Sequence, residues 1–232
     1  MKFVLDLQAC QSPESSKRGI GRYSLSLAKA MVANAGTHDF FIVLSGVLEE
    51  EIERLRDEFD GLIPQSRILV WEGIDHVAAI NQENRFRRHA ATMLREQFIS
   101  SLNPDVVHIA SLFEGLAEDI VSSVPHLPSS ALHAVTLYDL IPLASKANYL
   151  GDARISDWYH ERIHHLMRAD VLLGISKYTC DEAGELLDIP AEKVFNIGGA
   201  ADAIFKVLEG VESERLQISR RYGFERPFIM YA

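Results

Sequence analysis

The sequence predicts an α/β protein with a doubly wound, mostly parallel Rossmann-like sheet of about seven strands. Short, continuously apolar runs such as residues 40–44 recur along the chain, and such runs are typical of strands that are covered on both faces. Segments with apolar residues at helical spacing lie between these runs. Regular alternation of strand and helix favours a parallel sheet with right-handed crossovers.

The predicted elements follow one another with short connections. Strands are predicted at residues 3–7, 40–44, 67–71, 105–109, 132–137, 170–175 and 194–197. Helices are predicted at residues 22–35, 48–59, 84–102, 152–168, 178–187 and 212–222. A further apolar run starts at Pro227, and we expect it to begin another strand.

Composition excludes several classes of protein. The 232 residues carry a net charge of −10, which argues against broad binding to nucleic acid or to an anionic membrane. No apolar run approaches the roughly 18 residues of a membrane span, and Met1 leads into a strand instead of a secretory signal. Cys10 and Cys180 are isolated, so we expect no disulfide framework and a cytoplasmic location.

The stretch before the first predicted helix reads Arg-Gly-Ile-Gly-Arg-Tyr at residues 18–23. It follows the first strand and a polar loop, so it places a helix N-terminus at the carboxyl end of a strand. The free N–H groups and the dipole of such a terminus favour an anion, and glycine lets the backbone approach a ligand. We therefore predict that Gly19, Gly21 and Arg22 bind substrate.

Two other interpretations of this stretch stay open. It can be an ordinary loop that needs glycine for its turn. Gly19-x-Gly21-x-x-Ser24 also nearly matches a dinucleotide fingerprint. Against the fingerprint, about ten residues separate the strand from the first glycine, and the second strand ends in Ser-Gly at residues 45–46 without an acidic residue for a ribose.

Polar residues follow three other predicted strands. His108 ends one strand and Glu114 lies in the loop behind it, Tyr138 and Asp139 follow the next, and Ser176 follows the sixth. The carboxyl ends of parallel strands share one edge of the sheet, where ligands bind. The alternatives are a semi-buried histidine, a loop-capping aspartate and a helix-capping serine. We predict that these residues line a ligand site, where His108, Glu114 and Ser176 bind substrate.

The helix predicted at residues 84–102 carries the one basic cluster in this acidic chain. Its predicted inner face consists of Phe86, Ala90, Met93, Leu94, Phe98 and Leu102. Its predicted outer face holds Arg85, Arg87, Arg88 and Arg95. We expect these arginines to form a solvated face. An anion or acceptor contact, or docking to a membrane surface, is the alternative.

Two histidines at helical spacing raise the question of a metal. His160 and His164 are four residues apart on the helix predicted at residues 152–168. No H-E-x-x-H pattern surrounds them and no third ligand is evident in the sequence. We therefore expect no metal site.

Five short motifs occur in an order that resembles the retaining family 4 glycosyltransferases, which are nucleotide-sugar enzymes with two Rossmann domains in the GT-B arrangement. They read RGIGRY, DVVH, TLYDLIPL, ISKYT and IPAEKV and begin at residues 18, 105, 136, 175 and 189. The resemblance implies an acceptor-side domain at residues 1–210, and a linker helix and the first strand of a donor-binding domain at residues 211–232. The resemblance implies that Tyr138 and Asp139 are catalytic. Tyr138 stands where many members have histidine, which puts a histidine-dependent role at that position in doubt.

The resemblance implies retaining transfer of a hexose, with mannose as the expected sugar, to a glycan or lipid-linked acceptor. It implies a nucleotide sugar as donor, no further cofactor and no metal. In this family the second domain holds most nucleotide contacts, including an E-x7-E pattern, so we expect little activity from these residues alone. Peripheral contact with the inner face of a membrane is compatible with a lipid-linked acceptor. The sequence does not indicate the donor base, the linkage or the oligomeric state.

Two functions of other classes stay open at this point. The first is a stand-alone, non-catalytic α/β module that binds a carbohydrate or a nucleotide. The second is a nicotinamide-dependent oxidoreductase, which the near match to the dinucleotide fingerprint suggests. Binding of NADH without a response to nucleotide sugars would favour the oxidoreductase.

Overall fold

The computed structural model of the protein describes residues 1–125, 129–200, 212–224 and 226. The chain divides into two compact units, Met1–Gly199 and Ala200–Ala232. The boundary predicted at residue 210 and the strand predicted from Pro227 lie outside the described residues.

The first unit is built on one parallel sheet. Its strands are β1 (Lys2–Asp6), β2 (Asp39–Ser45), β3 (Ile68–Trp71), β4 (Val106–Ile109), β5 (Leu132–Leu137), β6 (Val171–Gly174) and β7 (Val194–Asn196). They pair in the order β3-β2-β1-β4-β5-β6-β7, and every pair is parallel. The predicted fold class is confirmed. The strand order reverses between β1 and β4, which is the switch point where such sheets bind ligands.

Helices cover both faces of this sheet. They are α1 (Gly19–Ala33), α2 (Ile52–Glu58), α3 (Arg85–Ser101), α4 (Ile141–Ala144), α5 (Lys146–Tyr149), α6 (Ala153–Met167) and α7 (Lys177–Leu187). Most bounds agree with the prediction within one or two residues. The differences are that α2 begins at Ile52 instead of residue 48 and that α4 and α5 were not predicted. In addition, α1 begins three residues early, so that Gly19 and Gly21 belong to its first turn instead of a loop.

Two hydrophobic clusters hold the helices to the sheet. On one face, Leu5 and Ile42 of the central strands pack in a cluster with Ala28 and Val32 of α1. A larger cluster includes strand residues such as Val107 together with buried residues of α3 and α6. At roughly 25 cal/mol per Å2 of buried apolar surface, these two clusters are the main source of stability.

The predicted inner face of α3 is correct at Phe98 and Leu102, which pack against the larger cluster, and wrong at three other residues. Phe86, Met93 and Leu94 are 82, 57 and 49% exposed, whereas the buried positions are Ala91, Arg95 and Ile99 at a spacing of four residues. The physical reason is the charge at residue 95. Arg95 is 1% exposed and forms an ion pair with buried Asp6 at the end of β1, and this pair turns the helix.

The second unit contains one described helix, α8 (Glu212–Tyr222), at the predicted residues. Gly223 follows it with φ +69°, a left-handed conformation that glycine adopts without strain at a helix end. Among the described residues of the whole chain, no helix is long and apolar enough to cross a membrane.

Candidate functional site

A buried ion pair lies at the carboxyl end of β1, beside the switch point. Asp6 accepts hydrogen bonds from Arg95 Nε at 2.9 Å, from Arg95 Nη2, and from Gln8 Nε2 at 3.1 Å. Arg95 Nη1 also donates to Ser123 Oγ at 3.1 Å. Removing either charge would leave the other buried without a partner, so this pair fixes the floor of the site.

The loop between β1 and α1 is anchored to the end of β2. Gln11 is fully buried, and its side-chain amide donates to the Ser45 carbonyl at 2.9 Å and to the Leu48 carbonyl at 3.1 Å. The Ser45 amide donates in return to Gln11 Oε1 at 2.7 Å. These hydrogen bonds satisfy backbone groups that the end of a strand would otherwise leave unpaired.

Four side chains connect this loop to the segment that follows β4, and we call them the Ser–Glu cluster: Ser12, Ser15, Glu114 and Glu118. Ser12 Oγ lies 2.8 and 2.6 Å from the two carboxylate oxygens of Glu118. Ser15 Oγ lies 3.2 and 3.1 Å from those of Glu114. Because β1 and β4 are neighbours, the cluster spans the switch point.

Burial changes the ionisation of Glu114. The pKa of Glu114 is raised to about 7. Desolvation by burial is the largest cause and the charge of Glu118 adds to it, whereas hydrogen bonds from Ser111 and Ser15 lower the pKa. Near neutral pH, Glu114 is therefore present in both protonation states. Its negative charge beside α1 is correspondingly reduced.

The N-terminus of α1 has no side-chain cap. Arg18 occupies the capping position without a capping hydrogen bond from its side chain. Among the described residues, the amides of Gly19 and Ile20 have no hydrogen-bond acceptor. Arg22 is the fourth residue of α1 and is exposed. These two amides and a nearby guanidinium form an arrangement that can bind an anion.

Gly21 has a different role from Gly19. A Cβ added at Gly21 would lie 2.3 Å from the Ser15 carbonyl oxygen and 2.5 Å from Ser16 Cα. A Cβ added at Gly19 would meet no atom within 4 Å. Gly21 therefore lets the preceding loop pack directly on the helix, whereas Gly19 is open to a ligand.

Tyr138 reaches from the end of β5 to the first turn of α1. Its hydroxyl lies 2.7 Å from Ser24 Oγ and donates to the Ile20 carbonyl at 3.4 Å. Burial raises the pKa of Tyr138, which keeps the phenol protonated. Asp139 is exposed, and its carboxylate accepts a hydrogen bond from the Ile141 amide at 3.1 Å, as a loop-capping aspartate would.

His108 is buried under the site. Its Nε2 atom lies 2.8 Å from Thr136 Oγ1, and among the described residues its Nδ1 atom has no hydrogen-bond partner. Desolvation lowers the pKa of His108 to about 4, against the charge of Asp6. The imidazole is therefore neutral at physiological pH, and it lies too deep for direct contact with a large ligand.

Ser176 caps α7. Its hydroxyl oxygen accepts from the Thr179 amide at 3.1 Å, and Thr179 Oγ1 donates to the Tyr138 carbonyl at 3.1 Å. The serine therefore satisfies the third amide of α7, while the Lys177 and Tyr178 amides before it have no acceptor among the described residues.

The structure brings some of the predicted site residues together and leaves others apart. Gly21, Glu114 and Tyr138 surround the start of α1, and Ser176 connects to Tyr138 through Thr179. Asp139 and Arg22 are exposed, and His108 lies beneath. Their functional roles stay predictions.

The site residues that were not predicted from the sequence include Asp6, Gln11, Ser12, Ser15, Arg95 and Glu118. Asp6 gave one signal, as the charged residue in an otherwise apolar strand. Among the described residues, no group of three or more His, Cys, Asp or Glu side chains could hold a metal ion.

Comparison with known proteins identifies relatives in one class of enzyme. The sequence is 30% identical over 232 residues to the serotype-specific mannosyltransferase WbdA of Escherichia coli, a match that covers 99% of this chain and 27% of that protein. A second Escherichia coli protein of the same name is 28% identical over 205 residues, which cover 88% of this chain and 25% of that protein. The chain thus spans about a quarter of the length of these relatives.

Two further comparisons complete this result. A glycosyltransferase from Rickettsia africae ESF-5 superposes with a TM-score of 0.48 and 14% identity, covering 100% of this chain and 53% of that structure. No family model matches the sequence. The sequence similarity to the two proteins named WbdA supports the glycosyltransferase resemblance predicted from the motifs, over a stretch that corresponds to about a quarter of their length.

Proposed function

We propose that this chain is the acceptor-side domain of a retaining, nucleotide-sugar-dependent glycosyltransferase with the GT-B arrangement. It takes part in transfer of a hexose, with mannose as the expected sugar, to a glycan or lipid-linked acceptor. The similarity to mannosyltransferases along 99% of the chain supports the choice of sugar. One structural observation carries the proposal: the uncapped N-terminus of α1 lies at the carboxyl edge of the sheet, next to the switch point.

This terminus suits the diphosphate of a nucleotide sugar. The amides of Gly19 and Ile20 and the dipole of the 15-residue helix α1 favour negative charge, and Arg22 adds a cation nearby. The sugar is transferred when the bond from its anomeric carbon to the diphosphate breaks and a bond to an acceptor oxygen forms. The leaving diphosphate gains negative charge and takes up the acceptor proton, so donors at this terminus would lower the barrier.

Residues at neighbouring strand ends would orient the other reactants. Asp139 is exposed at the end of β5 and can accept a hydrogen bond from a sugar hydroxyl. Tyr138 contributes by holding α1, since its hydroxyl contacts Ser24 and the Ile20 carbonyl. Closure of a second domain over this edge would exclude the water that hydrolyses the donor.

The test uses the longest natural protein that contains this sequence. It is incubated with nucleotide diphosphate derivatives of mannose, glucose and galactose and with glycan and lipid-linked acceptors, and products are identified by mass spectrometry. We expect transfer of mannose with the donor's anomeric configuration, as read by NMR. The 232-residue chain alone should transfer little, because the relatives are about four times as long.

Other outcomes separate the competing functions. Absence of transfer with every donor, together with tight binding of a carbohydrate or nucleotide by the 232 residues, would contradict the proposal in favour of a non-catalytic binding module. Fluorescence quenching by NADH without a response to nucleotide sugars would instead point to an oxidoreductase.

A peripheral contact with the inner face of a membrane is part of the proposal, but the arginines of α3, which the sequence suggested for this contact, are not well placed for it. Arg95 is buried, Arg88 pairs with Glu161 at 3.0 Å and Arg87 lies 3.4 Å from Asp75. Three of the four arginines therefore have an acidic partner, and Arg85 alone of the cluster is exposed without an ion pair among the described residues.

The exposed apolar residues Phe86, Met93 and Leu94 of α3 are better suited to contact lipid. The test is cosedimentation with vesicles of phosphatidylethanolamine and phosphatidylglycerol. We expect the double variant Phe86→Ser and Met93→Ser to bind vesicles about tenfold more weakly than the wild type, because each substitution reduces the apolar surface that lipid can cover. Leu62→Ser, at an exposed apolar residue outside α3, is the control and should bind normally. Equal binding by all three proteins would contradict the membrane contact.

A further inference from the structure

The loop that precedes α1 is joined to the helix through one carbonyl group. The Ser15 carbonyl accepts hydrogen bonds from the Arg18 amide at 3.0 Å and the Gly21 amide at 3.1 Å. Gly21 leaves no room for a Cβ between the helix and this loop. A displacement of the loop would therefore also displace the turn that carries the Gly19 and Ile20 amides.

Glu118 holds the other side of this loop. Its carboxylate accepts from Ser12 Oγ at 2.8 and 2.6 Å, and its Oε1 atom accepts from the Glu14 amide at 2.9 Å. Ser12 is fully buried and itself accepts from the Ser15 amide at 3.0 Å. One carboxylate thus holds two loop positions directly, Ser12 and Glu14, and a third, Ser15, through the Ser12 hydroxyl.

The segment that carries Glu118 is itself firmly anchored. Gly115 has φ +83°, and its Cα approaches the Ile120 carbonyl so closely that an added Cβ would lie 2.1 Å from that oxygen. Asp119 accepts hydrogen bonds from three successive amides at residues 76–78, at 2.8 to 3.1 Å. Glu118 therefore acts from a fixed base, and it holds the loop together with the contacts of Gln11 to Ser45 and of Ser15 to Glu114.

We infer that Glu118 is a positioning residue: through Ser12 and the Glu14 amide, it holds the loop at residues 11–17 where the first turn of α1 can bind the diphosphate of the nucleotide sugar. The inference rests on the proposed function. It assigns a role in substrate binding to a residue that touches no substrate, lies across the switch point from α1 and is 106 positions away from Ser12 in the sequence.

The test compares Glu118→Ala with Glu118→Gln in the longest natural protein that contains this sequence. Glu118→Ala removes both carboxylate oxygens that accept hydrogen bonds from the loop, whereas Glu118→Gln keeps one oxygen as an acceptor for the Glu14 amide. We expect KM for the nucleotide sugar to rise about tenfold in Glu118→Ala and about threefold or less in Glu118→Gln, with kcat nearly unchanged. A merely structural role would lower the active fraction and hence kcat, without raising KM.

Hydrogen exchange of the same proteins gives a second readout. The amides of residues 8–24 should exchange about tenfold faster in Glu118→Ala, and those of β2 at the wild-type rate. Ser12→Ala, which removes the other partner, should reproduce both effects. The matched control is Glu58→Gln, which removes a half-exposed ion pair with Lys29 and should leave KM and the loop unchanged.

The outcomes separate the two proposals. Faster loop exchange together with a raised KM supports the role of Glu118. An unchanged KM in an active Glu118→Ala protein overturns this role and leaves the proposed function intact. A wild-type protein that neither binds nor uses any nucleotide sugar overturns the proposed function, and the role of Glu118 with it.

Discussion

Helices α1 and α7 begin at the same edge of the sheet, but different residue types occupy the capping position before each helix. α7 begins at Ser176, whose hydroxyl oxygen accepts the Thr179 amide at 3.1 Å. α1 begins at Gly19 after an arginine that makes no capping hydrogen bond from its side chain. A serine cap stabilises a helix by about 1 kcal/mol, so α1 forgoes a stabilising contact that α7 has.

The difference lies in the group that accepts the third amide of each helix, which is the Ser15 carbonyl for Gly21 in α1 and the Ser176 hydroxyl for Thr179 in α7. The first two amides, of Gly19 and Ile20 in α1 and of Lys177 and Tyr178 in α7, have no acceptor among the described residues. What favours α1 as the ligand site is the open space at Gly19, where an added Cβ would meet no atom within 4 Å. The missing contact at α1 is offset by the loop, whose Ser15 carbonyl packs on Gly21. Functional sites often show such local losses of stability, compensated elsewhere.

The largest expected effect on stability comes from forcing the loop and α1 apart at Gly21. In Gly21→Ala, the new Cβ would meet backbone atoms of Ser15 and Ser16 that cannot rotate away. We expect a loss of about 3 kcal/mol in the free energy of unfolding, as for overpacking at a well-packed site. Urea unfolding of the 232-residue chain, followed by circular dichroism, measures this loss.

The control for this variant lies in α7. In Gly184→Ala, the nearest atom to the new Cβ is the Ile189 carbonyl oxygen at 4.0 Å. Because alanine is the better helix former, this variant should gain up to about 1 kcal/mol. If Gly21→Ala is as stable as the wild type, the loop does not pack on α1 as described.

A slightly smaller effect is expected from pH, through the buried carboxyl group beside α1. The pKa of Glu114 is raised from 4.5 to about 7, so the folded state keeps a proton that the unfolded state releases. This contribution to stability is fully present below pH 4.5 and is lost as pH rises through 7, by at most about 3 kcal/mol. Glu114→Gln should lack this loss.

The measurement is the difference in unfolding free energy between wild type and Glu114→Gln at pH 5 and at pH 8. His108, with a pKa lowered to about 4, acts in the opposite direction between pH 6.5 and 4. Its contribution cancels when the two proteins are compared at each pH. A difference that does not change with pH would show that Glu114 titrates normally.

Removing the cap of α7 tests the comparison from the other side. Ser176→Ala should cost about 1 kcal/mol, since the Thr179 amide loses its acceptor. The effect on KM for the nucleotide sugar should be less than twofold, because this terminus is not the one proposed to bind the diphosphate. A large rise in KM with little loss of stability would move the anion site from α1 to α7.

The sequence was sufficient for the fold because strand and helix carry local patterns. β5 occupies residues 132–137 as predicted, and the alternation of elements led directly to the parallel sheet. It was not sufficient for the orientation of α3. There the apolar spacing of Phe86, Met93 and Leu94 suggested an inner face, but the buried carboxylate of Asp6 required Arg95 instead, a contact 89 positions apart.

The candidate site shows the same limit. Strand ends could be placed at one edge of the sheet because that follows from parallel topology, and the predicted site residues Glu114, Tyr138 and Ser176 were chosen on this basis. The link from Ser12 to Glu118 could not be predicted, because neither residue stands in a local pattern and their separation is 106 positions. Whether a glycine serves packing or a ligand also depends on what lies opposite, as Gly19 and Gly21 demonstrate.

The smallest effect on stability and the sharpest test of the open terminus come from Gly19→Ala. No atom lies within 4 Å of the added Cβ, so the unfolding free energy should change by less than about 0.5 kcal/mol. If the Gly19 amide approaches a diphosphate, however, the methyl group would obstruct that approach, and KM for the nucleotide sugar should rise about fivefold or more. The variant separates the two functions of this turn, since Gly21→Ala disturbs the fold and Gly19→Ala does not. A stable Gly19→Ala protein with wild-type KM would mean that the diphosphate does not bind at α1, and that the uncapped terminus serves some purpose other than donor recognition.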